Sequence, residues 1–124
     1  MRRLQSERGA AAVEFALVVP LLLILLLGIV EFGRVFNTQL QLTHAARESV
    51  RVMAIQKQPA AARSAGIASV SGLNPALTAG NISVGSCTNT TDVTVTITYS
   101  VSLLSGLFAD VVPLTGKAVM RCGG

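Results

Sequence analysis

The chain has 124 residues, 51% of them apolar, with ten Lys and Arg against six Asp and Glu and a net charge of +4. That is room for one small domain plus a membrane helix, and too little for a large enzyme core once the helix is set aside. Only one Tyr and four Phe are available to stack, and no basic cluster is interleaved with them, so the charge does not read as a nucleic-acid patch.

Residues 1–9 are polar and basic, with Arg2, Arg3 and Arg8 against Glu7. Removing them leaves seven basic and five acidic residues, a net +2, so much of the basic excess is leader. The leader is similar to the charged start of a secretory signal. However, no polar cleavage region or A-x-A pattern follows it, and the apolar segment runs straight into more helix. The segment is expected to be retained.

Residues 10–33 form the expected transmembrane helix. The uncharged run from Phe15 to Val30 spans about 24 Å as a helix, short of a hydrocarbon core of about 30 Å. Adding Ala10–Val13 reaches that length but brings Glu14 into or to the edge of the membrane. A carboxylate there costs about 2.5–3.5 kcal/mol, which normally marks function. Pro20 removes one N–H donor and crowds the carbonyl of Ala16, so a helix kink is expected there. Glu31 and Arg34 close the apolar run, spaced either for an i,i+3 pair or as a plain solvated boundary. Three arginines precede the span, and Arg34 and Arg47 follow it within twenty residues. The positive-inside count therefore favours a cytoplasmic N-terminus, narrowly.

Residues 34–58 continue the helix, with no breaker before Pro59. Val35, Phe36, Leu40, Leu42, Ala46, Val50 and Met53 supply an apolar stripe, giving one helix from Ala10 to Lys57, half in the membrane and half outside. Glu48 lies within reach of Arg47 or Arg51, for a few tenths of a kcal/mol at most. His44 has Glu48 one turn later, but no second His or nearby Cys completes a metal site.

Residues 59–124 form a small C-terminal module. Pro59–Ser71 is alanine-rich and helical in propensity, and Gly72, Asn74, Pro75 and Gly80 mark loops. Asn81–Ser86 can be a strand. Asp92–Leu103 alternates cleanly, with Val93, Val95, Ile97, Tyr99, Val101 and Leu103 on one face. A turn at Ser105–Asp110 and a third strand at Leu114–Cys122 complete the set. Three strands with one apolar face need a cover, and the outer half of the long helix can provide it, for an α+β fold. Cys87 and Cys122 are the only cysteines. Outside the cytoplasm they would pair and stabilise the fold by about 3–4 kcal/mol; inside it they would be two buried thiols. Asn81 and Asn89 fit the N-glycosylation pattern, which matters only in a eukaryotic secretory context. No catalytic triad, P-loop or dinucleotide fingerprint is present, and no cofactor or metal is expected.

The string from Gly9 to Arg34, GAAAVEFALVVPLLLILLLGIVEFGR, resembles the N-terminus of TadE-like proteins, the minor pilins or pseudopilins of tight-adherence (Flp-type) pilus systems. Ala45-Ala-Arg-Glu48 also fits. Close resemblance covers about residues 8–55. It implies cleavage by a prepilin peptidase between Gly9 and Ala10, leaving Glu14, followed by Phe15, as the fifth residue of the mature chain. Glu14 would pair with the free amine of a neighbouring subunit and set register during assembly. Pro20 would be a site of local melting when subunits pack. The implied partners are the prepilin peptidase, other pilin and pseudopilin subunits, an inner-membrane assembly platform with its ATPase, and the lipid bilayer. The implied place is a bacterial inner membrane, crossed once, with the C-terminus outside the cytoplasm or incorporated in the pilus. The implied fold is pilin-like, and no enzyme activity is expected. The alternative reading is an unprocessed, signal-anchored binding or envelope-structure module, in which Gly9 could be bulky without consequence.

Overall fold

The computed structural model describes residues 2–88, 91–104, 106 and 110–123, with side chains from residue 6 onwards. Helix α1 runs Arg2–Gln56, helix α2 Pro59–Ala68, a short 3-10 turn Ala79–Asn81, and strands β1 Ile82–Val84, β2 Asp92–Ser102 and β3 Val111–Arg121. A long N-terminal apolar helix with a small antiparallel sheet is the expected α+β arrangement. The leader is helical too, so α1 begins at Arg2 rather than Ala10. Part of the Ser105–Asp110 turn and the Asn89 sequon lie outside the described residues.

The chain divides into two compact units, residues 1–34 and 35–124. The first is helix alone. Among the described residues α1 is the one helix long and apolar enough to cross a membrane, and none of its most apolar window is buried within the chain. Pro20 lies inside α1 and the helix continues through it.

The second unit contains the core. Its sheet has the order β1-β2-β3, antiparallel throughout. Val93, Val95, Ile97, Tyr99 and Val101 of β2 are buried and the residues between them are not, as a period of two requires. They pack with Leu42, Ala45, Ala46, Val50, Met53 and Ala54 of α1, so the outer part of that helix is the sheet's cover. The approach is close at Gly116, where a Cβ would stand 2.6 Å from the Leu42 carbonyl oxygen and 2.7 Å from its carbon. Only glycine lets β3 lie that near the helix backbone.

α1 stops because Lys57 turns to a positive φ of 56°, with its N–H still donating to Met53 O at 2.9 Å. Gln58 is extended, as a residue before proline tends to be, and Pro59 then starts α2 where a missing N–H costs nothing. Buried Ser49 of α1 donates its hydroxyl to Ala62 O of α2 at 2.6 Å and so joins the two helices. β3 starts three residues earlier than expected, at Val111, and carries Pro113 within it. β1 is shorter than expected, since Asn81 is held in a reciprocal cap with Thr78.

Candidate functional site

Gly9, Ala10, Glu14 and Phe15 all lie on α1. Ala10 and Glu14 are four residues apart, so their side chains share one face, about 6 Å apart along the axis. Glu14 and Phe15 are both exposed, Phe15 by 71%. A side chain at Gly9 would meet nothing within 4 Å. The fold therefore has no use for a glycine there, although in a helix interior it costs about 1 kcal/mol relative to alanine. Gly9 differs in this from Gly116, whose lack of a side chain the packing explains.

At the outer end of the apolar run, Glu31 and Arg34 are 3.5 Å apart as an i,i+3 pair. Glu31 is 4% exposed. Arg51 and Glu48 stand 3.9 Å apart in solvent, a pair worth little. His44 is exposed, and no group of three or more metal-ligating side chains occurs among the described residues.

In the second unit Cys87 and Cys122 form a disulfide, with Cα atoms 5.7 Å apart, which joins the loop after β1 to the end of β3. The next residue, Gly123, donates its N–H to Ala54 O in the last turn of α1 at 3.1 Å. The disulfide thus holds β3's end beside a helix terminus whose carbonyls lack intrahelical partners. Tyr99 is 7% exposed and donates its hydroxyl to Pro75 O at 2.6 Å. Burial pushes its phenol pKa above the ordinary 10.0, because the phenolate loses hydration.

The sheet's edges are tied by side chains that the sequence did not single out. Arg63 Nε donates to Ile82 O at 3.2 Å, Asn81 Nδ2 to Thr98 O at 3.0 Å, and Gln39 Nε2 to Thr115 O at 2.8 Å. Nothing in the local pattern around Gln39 or Arg63 could have announced these distant partners.

Residues 9–51 match the family of TadE-like proteins, about a third of the chain. This segment is TadE-like. The match begins at Gly9, contains Glu14, and takes in most of the outer part of α1 that covers the sheet. No curated protein and no solved structure matches the chain. The TadE-like family is pilus-associated and structural rather than enzymatic. The exposed apolar helix of the TadE-like segment fits a single-pass membrane anchor.

Proposed function

We propose that this TadE-like chain is a minor pilin or pseudopilin of a tight-adherence pilus. A prepilin peptidase removes residues 1–9, and the apolar helix keeps the subunit in the inner membrane with its N-terminus cytoplasmic. The helix then packs against those of other pilin subunits. Glu14 sets axial register by pairing with a freed N-terminal amine, which is cationic near neutral pH. The small disulfide-bonded module supplies contacts outside the membrane.

The observation that carries this reading is the TadE-like match over residues 9–51, joined to the geometry at its start. Gly9, like Gly28 and Gly33 of the same helix, stands where the fold gives a glycine no purpose, and a carboxylate lies five residues beyond it in an otherwise apolar span. Both residues are explained by partners outside the chain: a peptidase that needs a small residue before the cut, and an amine that needs a counter-charge. The unbroken helix through Gly9 suits the alternative of an uncut anchored module.

The N-terminal residue of the protein separates the two. Intact mass of the chain taken from membranes of a host with active prepilin peptidase should show a start at Ala10. A start at Met1 would replace the pilin reading with the anchored module.

A further inference from the structure

The outer edge of β3 is built like a binding site for a strand. Cys122 N–H donates to Thr91 O at 2.9 Å, and Leu103 N–H to Asp110 O at 3.1 Å. These pairs continue the β2–β3 register past both ends of the strands. In an antiparallel ladder the hydrogen-bonded pairs alternate, so even-numbered residues of β3 turn their backbone groups toward β2 and odd-numbered ones turn theirs outward. Three observations agree with that phase. Pro113, which has no N–H, falls in the outward set; Thr115 gives its outward carbonyl to Gln39; and Gly123 gives its outward N–H to Ala54.

Between the last two contacts lie Lys117, Val119 and Arg121. Their outward N–H and C=O groups make no hydrogen bond among the described residues. All three side chains are exposed, Val119 by 55%. α1 runs alongside, touching the edge through Gln39 at one end and Ala54 at the other. Seven residues is nearly two whole helical turns, so Arg47 lies on the same flank as Ala54, with Arg51 one turn further on. Both arginines are exposed. Two cations, Lys117 and Arg121, lie on the open stretch itself. The acids nearby are Glu48, paired to Arg51, and Asp92, which opposes Arg121 in the register but forms no ion pair among the described residues.

We infer that the β3 edge from Thr115 to Arg121 takes an acidic, extended segment of another protein as a fourth strand. Open backbone groups alternate there from Lys117 to Arg121, over about 13 Å, which a polypeptide strand matches and a generic polyanion does not. The cations set the chemistry: carboxylates four residues apart would oppose Lys117 and Arg121, with an apolar residue against Val119 between them. A second copy of this chain fits poorly. The twofold register centred on Val119, which would use all three open residues, sets Lys117 against Arg121 of the copy on both sides, and like charges directly opposite are destabilising. Proline and lysine also guard edges against unwanted pairing, and this guard excludes neutral and cationic strands while leaving acidic ones favoured. The inference does not depend on the pilus reading, since an anchored module would present the same edge.

The test uses the full-length protein in detergent micelles and the labelled peptide acetyl-Thr-Glu-Val-Val-Val-Glu-Thr-amide, followed by fluorescence anisotropy. The peptide should bind, and its counterpart with both Glu replaced by Lys should not. Val119→Pro removes an outward N–H and leaves the ladder to β2 intact, as Pro113 already does, and should weaken binding at least tenfold. Lys117→Glu combined with Arg121→Glu should do the same. Hydrogen exchange on the wild type should show the amides of Lys117, Val119 and Arg121 gaining protection when peptide is added, which decides the matter even if the proline variant fails to fold. No binding of the acidic peptide would overturn the inference. So would binding that leaves those amides unprotected, or a single-stranded DNA oligonucleotide that binds equally well without protecting them.

Discussion

Thr98 and Thr115 face each other across β2 and β3, and each gives its carbonyl to a side-chain amide, Asn81 for Thr98 and Gln39 for Thr115. The two strands are thus tied at one level from both sides, by the turn before β1 and by α1. A net hydrogen bond is worth about 0.5–1.5 kcal/mol, and both bonds are solvent-exposed, so each should fall at the lower end of that range. Gln39→Ala and Asn81→Ala should each lower protection of the β2 and β3 amides by about that amount in hydrogen exchange of the full chain. Protection unchanged in both variants would show that the ties contribute nothing.

Gly116 leaves no room for a side chain between β3 and α1. Its neighbours are backbone atoms of Leu42, which cannot rotate away, so even one added carbon must push strand and helix apart. Overpacking of this kind typically costs about 1–3 kcal/mol. Gly116→Ala should destabilise the second unit by that much in denaturant unfolding, while Gly9→Ala should leave it unchanged.

Much of this arrangement was legible in the sequence where a period or a composition carried it. The alternation from Asp92 to Ser102 named its own buried face, because side chains on a strand reverse at every residue. The apolar run from Phe15 to Val30 made α1 visible by its length and lack of charge. The ties at Thr115, Thr98 and Ile82 were not legible, because an amide or guanidinium that reaches a carbonyl elsewhere in the chain leaves no local pattern. Pro113 pushed the expected start of β3 inward, since proline reads as a strand breaker until the phase of the ladder is known. Gly9 and Gly116 are the same letter, and only coordinates tell a packing glycine from one the fold does not need. The roles given to Gly9 and Glu14 came from resemblance, and the TadE-like match supports the segment rather than the roles.

Those roles have their own test. Gly9→Leu should leave an uncut precursor on a gel of membranes, because the residue before the cut must be small in the proposed reading. Glu14→Ala should be cut and inserted normally yet lose piliation, counted by electron microscopy. A mature-length band for the first variant, or normal piliation for the second, would remove the corresponding role.

The disulfide closes a loop of 35 residues between the end of β1 and the end of β3. Loss of such a link typically costs about 2–4 kcal/mol. It should also loosen the Gly123–Ala54 contact, which the neighbouring Cys122 positions. Cys87→Ser should abolish the mobility difference between reducing and non-reducing gels and lower the denaturation midpoint of the second unit. A midpoint equal to that of the oxidised wild type would show the link to be dispensable.

Tyr99 gives the fold an alkaline limit. Its pKa in the folded chain is raised by burial above the ordinary 10.0, so the folded state favours the neutral phenol. Its ionisation also removes the proton donated to Pro75 O. A raised folded-state pKa means the contribution is fully present below about pH 10, the unfolded value, and is lost as pH rises through the folded value. Stability of the full chain in detergent should fall above about pH 10. Tyr99→Phe should remove that part of the alkaline slope, and at neutral pH should cost about 0.5–1.5 kcal/mol for the lost hydrogen bond. Denaturation midpoints of the two proteins, measured in parallel from pH 7 to pH 11, should converge at the alkaline end; curves that stay parallel would show that the Tyr99 hydroxyl is not what links stability to pH.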